Sequence, residues 1–241
     1  MTRAQRPTTR LAEDGFAILE SAVSDGEVAQ LLTALEPMAE TLAQARRGGL
    51  RDILRRVPRM AELVQHPRVV EVVVAALGPG AFAVRGILFD KHPGANWKVP
   101  WHQDLTIAVR ERRAIEGYGP WSMKEGLPHV RPPLAVLQQR IAVRVHLDDC
   151  GLDNGPIRVI PGSHRLGILA PDAIQALVAR HRDVACSVGR GGILAMHPLL
   201  LHASAPVRTP RHRRVIHLEF AACELDPELE WLERRPCSPE Q

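Results

Sequence analysis

His102 and Asp104 stand two residues apart in the stretch Trp101-His102-Gln103-Asp104. Side chains at i and i+2 of a strand share a face, so an imidazole and a carboxylate there converge on one point. Far downstream, Met196-His197-Pro198-Leu199-Leu200-Leu201-His202-Ala203-Ser204 offers a second imidazole, His202, in another strand-like segment. Two histidines and one carboxylate that leave coordination positions free form the facial ligand set of non-haem Fe(II) sites. A lone His-x-Asp also serves as an ordinary structural pair, so the reading depends on what surrounds it.

The elements that must position these residues are those of an ordinary globular chain. With 241 residues, 45% hydrophobic and 24% charged, the sequence is long enough to bury a full core. No run of eighteen apolar residues appears, and Met1-Thr2-Arg3-Ala4-Gln5-Arg6-Pro7 leads into no apolar segment. The four cysteines (Cys150, Cys186, Cys223, Cys237) form no Cys-x-x-Cys pair, which argues for reduced thiols and a cytoplasmic protein without membrane association. The formal charge of +4 is carried by scattered arginines with Lys only at 91, 98 and 124, so no phosphate-tracking stripe points to nucleic acid. A small-molecule substrate is the expected partner, and oligomeric state is open.

Residues 1–80 read as mainly helical after a short strand at Phe16–Glu20. Ser24 or Asp25 caps a helix to about Leu35, with Pro37 bending or ending it, and further helices are predicted over Arg51–Val64 and Pro67–Leu77 before Gly78-Pro79-Gly80. From Ala81 the texture changes to short β-rich runs: Phe82–Asp90, Val99–Ala108, Arg140–Leu147, Ile157–Ile160, Gly192–Met196, Leu199–Ser204 and Val215–Phe220. Such punctuated runs indicate a sandwich or barrel. The expected organisation is one domain: a helical region (1–80), a β core (81–222) and a tail (223–241).

The order His102-x-Asp104, then Asn154-Gly155-Pro156-Ile157-x-Val159-Ile160-Pro161-Gly162-Ser163-His164, then His202-x-Ser204 and Arg213, resembles the phytanoyl-CoA dioxygenase family. The likeness spans roughly Phe82 to Phe220 and implies an α+β fold with a mainly β core. That core would be a double-stranded β-helix, a cupin-like jelly roll, with the helical region packed on it. It implies Fe(II) held by His102, Asp104 and His202, with 2-oxoglutarate and O2 as cosubstrates and Ser204 and Arg213 as contacts to the keto diacid. A planar guanidinium suits the distal carboxylate of that diacid by bidentate hydrogen bonds. Arg214 is the register alternative, but it shares parity with apolar Ile216, Leu218 and Phe220. Related halogenases lack the carboxylate that Asp104 supplies, so the expected outcome is hydroxylation of an unactivated C–H bond, or a desaturation-type variant.

Other residues divide between site and scaffold. Arg144 occupies a cosubstrate-contact position, departing from the family's aromatic residue; it reads either as a second cation of the cavity, favouring an anionic substrate, or as a surface group. Arg140 and Lys91 are expected at solvent, and His164 and His197 as structural. The segment Arg110–Pro133 is long for a connection beside a metal strand and reads as a lid. With it, Trp101, Tyr118, Trp121 and His129 are the candidate substrate contacts, near Trp97. The rival readings are a zinc hydrolase or isomerase on the same three ligands, and a non-catalytic binder of metal or 2-oxoglutarate. A hydrolase does not need Arg213 with Ser204, whereas the binder differs from an oxygenase only in lacking turnover of 2-oxoglutarate.

Overall fold

In the computed structural model, which describes residues 7–44, 49–92, 94–208 and 212–237, the helices of the first third cover one face of a β core. Residues 1–6, on which most of the reading of the N-terminus rests, lie outside the described residues. The chain begins with α1 (Pro7–Asp14), β1 (Phe16–Leu19) and α2 (Asp25–Gln44). Ser24 caps α2 reciprocally: its Oγ accepts the Glu27 N–H at 3.3 Å, while the Glu27 carboxylate accepts the Ser24 N–H at 2.9 Å. Pro37 lies inside α2, which continues to Gln44 instead of ending there.

The helix expected over Arg51–Val64 is instead β2 (Gly49–Arg51), α3 (Ile53–Arg56) and α4 (Arg59–Val64). Asp52 in a left-handed conformation (φ 66°) breaks the first junction. Val57, extended as a residue before proline should be, breaks the second. Helix α5 (Pro67–Leu77) has the predicted bounds and stops at Gly78, φ 89°. Then follow β3 (Phe82–Lys91), β4 (Val99–His102), β5 (Ile107–Ala108), β6 (Trp121–Lys124), β7 (Leu127–Val130), α6 (Leu134–Gln138), β8 (Arg140–His146), β9 (Ile157–Val159) and α7 (Pro171–Arg180). The chain finishes with β10 (Val184–Cys186), β11 (Ile193–Met196), β12 (His202–Ser204), β13 (Arg213–Ala221) and β14 (Arg235–Pro236).

The strands form a seven-stranded sheet, ordered β1-β11-β8-β13-β3-β14 with β2 also on β3, and a four-stranded sheet, β10-β9-β12-β4. Every pairing is antiparallel. The C-terminal stretch expected as a tail thus adds an edge strand to β3. Alternation on β8 and β13 decides what each face of the large sheet does. Ile141, Val143, Val145, Ile216, Leu218 and Phe220 pack with Leu31, Ile53, Met60 and Val69 of the helical layer, each fully buried aliphatic side chain contributing about 1.5–3 kcal/mol. The opposite parity, Arg140, Ala142, Arg144 and His146 with Arg213, Val215, His217 and Glu219, is buried too, so both faces of β8 are covered. Arg140, expected at solvent, is 2% exposed: the polar face of this strand turns away from the helices and into the β core.

The Arg110–Pro133 segment is a built element. Strands β6 and β7 form a hairpin that joins β5 in a third sheet, β5-β7-β6. Its turn residues Glu125 (φ 54°) and Gly126 (φ 77°) are both left-handed, as a two-residue type I′ turn requires. Glu125 at the tip pairs with Arg51 of β2.

Candidate active site and metal centre

Strands β4 and β12 are neighbours, and their register sets His102 directly opposite His202. The two rings lie 4.1 Å apart, tilted by 49°. Asp104 follows β4 by two residues, with its N–H donating to the Pro198 carbonyl at 2.8 Å. Its carboxylate lies 3.5 Å from His102 Nε2 and 3.6 Å from His202 Nε2, and one donor atom from each residue fits within 4.8 Å of the others. Both Nδ1 atoms face carbonyl oxygens, Pro100 at 2.9 Å and Leu200 at 2.8 Å. A carbonyl only accepts, so the proton sits on Nδ1 and the Nε2 lone pair is free for a metal.

Between the ligands Gln103 points the other way. Its Nε2 donates to Gly167 O (2.8 Å) and Leu199 O (2.7 Å), and its carbonyl accepts the Leu169 N–H at 2.9 Å. These bonds end the run expected to continue from Val99 to Ala108 and hold the two ligand strands in place.

The charge states suit ligation. Burial pushes His202 down to about 4 against the pull of Asp104, so it stays neutral. For His102 burial also disfavours charge, but the hydrogen bond and charge of Asp104 outweigh it and raise the pKa. Burial works against ionisation of Asp104, and the adjacent His202 and His102 overcome it, holding the carboxyl well below its usual range. One carboxylate and two imidazole lone pairs are the donor set that Fe(II) accepts while leaving positions for other ligands.

The triad opens on a cleft of about 490 Å³, part of which is open to solvent. At one end Arg213, Ser204, Lys91 and Arg144 come together from β13, β12, β3 and β8. Arg213 is 3% exposed; its Nη1 donates to the Gly155 carbonyl and its Nε has no acceptor. Gly155 sits at φ 59°, and a Cβ there would come within 2.6 Å of the Ala205 carbonyl, so the turn must be glycine to pack against Arg213 and β12. Lys91, expected at solvent, is fully buried, donating to Ser204 Oγ at 2.9 Å and Ala205 O at 2.8 Å. Burial, helped by Arg213 and Arg144, lowers it to about 7. Arg144 resolves to the interior: its Nη1 donates to His217 Nδ1 at 2.9 Å, and its Nε is unpaired.

Because His217 accepts at Nδ1, its Nε2–H donates onward to Glu219 at 3.2 Å. Glu219 also pairs with Arg85 at 2.6 Å and with Arg140. Burial alone would raise Glu219; Arg85 and Arg140 outweigh it and bring it down to about 2. Of this network the sequence named only Arg144 as a candidate site residue. The shared parity of Arg213, His217 and Glu219 was the available signal.

The aromatic candidates fall elsewhere. Tyr118 and Trp121 pack against the cluster of Phe82, Ile107 and Trp231, and the Tyr118 hydroxyl accepts the Asp226 N–H at 3.3 Å. Trp101 is partly exposed on β4, with parity opposite to His102. Among the described residues the cleft lining includes Trp97 but not Trp101, Tyr118, Trp121 or His129. His129 is fully buried on β7 with an unpaired Nε2. Arg214 turns outward onto Asp148 at 2.7 Å, and His164 and His197 lie together in a separate hollow.

Two antiparallel sheets with two imidazoles and a carboxylate brought together define a double-stranded β-helix with a candidate metal site. The chain belongs to the phytanoyl-CoA dioxygenase (PhyH) family, whose profile matches residues 11–215. It is 29% identical over 165 residues to an ectoine dioxygenase of Bordetella bronchiseptica, covering 63% of this chain and 46% of that protein. It is 24% identical over 188 residues to an L-proline trans-4-hydroxylase of Streptomyces griseoviridis, covering 66% and 62%. The chain thus spans about half to three-fifths of the length of these relatives. The crystal structure of EctD from S. alaskensis with 2-oxoglutarate and 5-hydroxyectoine superposes with a TM-score of 0.69 at 22% identity, over 91% of this chain and 76% of that one.

Proposed function

We propose that this chain is an Fe(II)- and 2-oxoglutarate-dependent dioxygenase that hydroxylates an unactivated C–H bond of a small or medium organic molecule. The balance is substrate, O2 and 2-oxoglutarate to hydroxylated product, succinate and CO2. When bound, ferrous iron supplies the O2 activation that couples decarboxylation of the keto diacid to C–H oxidation. His102, Asp104 and His202 would hold it.

The observation that carries this reading is a metal triad and a cluster of cations without carboxylate partners in one cleft. Arg213 and Lys91 with Ser204 are placed to receive the distal carboxylate; the Ser204 oxygen already accepts from Lys91, so its own O–H can donate to a ligand. Arg144 adds a third positive charge. Buried guanidinium donors without acceptors are costly, and a dianionic ligand satisfies them. A zinc hydrolase or isomerase has no use for that cradle. The four free cysteines suit a cytoplasmic setting, and residues 81–222 form the catalytic core of this proposal.

Iron- and O2-dependent conversion of 2-oxoglutarate to succinate tests the reading. Wild type should show it, with Asp104→Ala losing iron and Arg213→Met losing affinity for the diacid. Protein that loads iron yet never consumes the diacid would leave only the hydrolase or binder reading.

A further inference from the structure

The cleft has a second cationic end. Arg85 lies six residues before Lys91 on β3 with the same parity, roughly 20 Å away along the strand, whereas a five-carbon diacid spans about 7 Å. Its head cannot lean toward Arg213, because it is held on Glu219, its paired neighbour across β3 and β13. Arg85 borders the cleft together with His102 and Asp104, and its Nε and Nη1 are buried with no acceptor. Glu219 is one carboxylate shared by two guanidiniums, Arg85 and Arg140, so positive charge is left over at this end.

The hairpin brings more. Lys124 of β6 donates to Thr106 Oγ1 at 3.2 Å, two residues beyond Asp104, and Arg51 holds the hairpin tip through Glu125. Burial and then Arg85 and Arg51 lower Lys124, while Asp104 and Glu219 pull the other way. His129, brought down to about 4 chiefly by burial, also feels Arg85, Lys124 and Arg51. Arg85 of β3 thus borders the cleft with one carboxylate, Glu219, shared between it and Arg140, and Lys124 of β6 is tied to the segment that follows Asp104.

We propose that Arg85, assisted by Lys124 from the hairpin, is a second anion site that receives a carboxylate of the primary substrate beside the metal. This rests on the dioxygenase reading and names its substrate class: a compound bearing a free carboxylate in addition to the C–H bond oxidised. The Nε and Nη1 of Arg85 are the donors, and Lys124 adds positive charge from the hairpin.

The test needs no turnover. Protein loaded with Mn(II) and one equivalent of 2-oxoglutarate is titrated with acetate, benzoate and L-prolinate, each against its primary amide. Paramagnetic relaxation of ligand protons reports proximity to the metal. At least one acid should bind about tenfold or more better than its amide, the scale of a charge-assisted hydrogen bond to a guanidinium. Arg85→Met should abolish that preference with 2-oxoglutarate affinity unchanged, and Lys124→Met should reduce it. Lys124→Met, on a partly exposed hairpin strand, carries the test if Arg85→Met does not fold. Equal relaxation by acid and amide across the panel overturns the site, as does a preference that survives both substitutions. Loss of 2-oxoglutarate binding in Arg85→Met would reassign Arg85 to the cosubstrate. Wild type that fails to bind 2-oxoglutarate at all would instead sink the dioxygenase reading.

Discussion

Binding of 2-oxoglutarate should draw a proton onto the protein, and Lys91 should be where it lands. A lysine normally titrates near 10.5, but full burial beside Arg213 and Arg144 brings this one to about 7. In the unliganded protein the folded state therefore holds fewer protons than the unfolded chain between about 7 and 10.5. Across that window stability rises with pH, and below it the charged lysine is a burden. A dianion in the cradle reverses the balance by favouring the charged form. Near pH 8 a group of pKa about 7 is roughly one-tenth protonated, so recharging takes up about 0.9 proton per site; near pH 6 the uptake falls to about 0.1. Titration calorimetry of Mn(II)-loaded protein in buffers of different ionisation enthalpy measures this number directly. Lys91→Met should bring the uptake near pH 8 close to zero and weaken the diacid. Uptake near zero in wild type, or equal uptake in the variant, would refute the reasoning.

Glu219 gives the opposite sign. Held at about 2 against an ordinary 4.5, it contributes stability that is complete above about 4.5 and lost as pH falls toward 2, on the order of 3 kcal/mol. Glu219→Gln should therefore be most destabilised relative to wild type near pH 7, with the gap narrowing near pH 3 in urea unfolding. Gln103→Leu removes three hydrogen bonds that fix the ligand strands without touching the metal, and should weaken Mn(II) affinity about ten- to a hundredfold by titration.

The candidate metal triad was legible because strand parity and residue type nominate it, and the register of β4 against β12 brings His102 and His202 together. Arg213 and Ser204 came from the family resemblance, and they line the same cleft as the triad. Arg140 was misread because a polar strand face was taken as a solvent face, and Lys91 because a lysine is ordinarily solvated. In this fold the helices occupy the apolar side of the large sheet, so the polar side is the interior, and alternation alone does not say which face is wet. The hairpin was hidden because its strands are only four residues each and its turn, Glu125-Gly126, lacks the Asn-Gly or Asp-Gly signature. Tyr118 and Trp121 lie near Asp104 in the chain but pack beneath the C-terminal Trp231, a long-range contact that local sequence does not encode.

Each of β8 and β13 has one side that holds the protein together and another that meets ligands. Exchanging Arg144 or His217 leaves the anchorage of the sheet to its helices untouched, while exchanging Val143 or Leu218 does not alter what the cavity displays. Selection that rewrites the lining must therefore keep the charge balance around Glu219, which Arg85, Arg140 and His217 share.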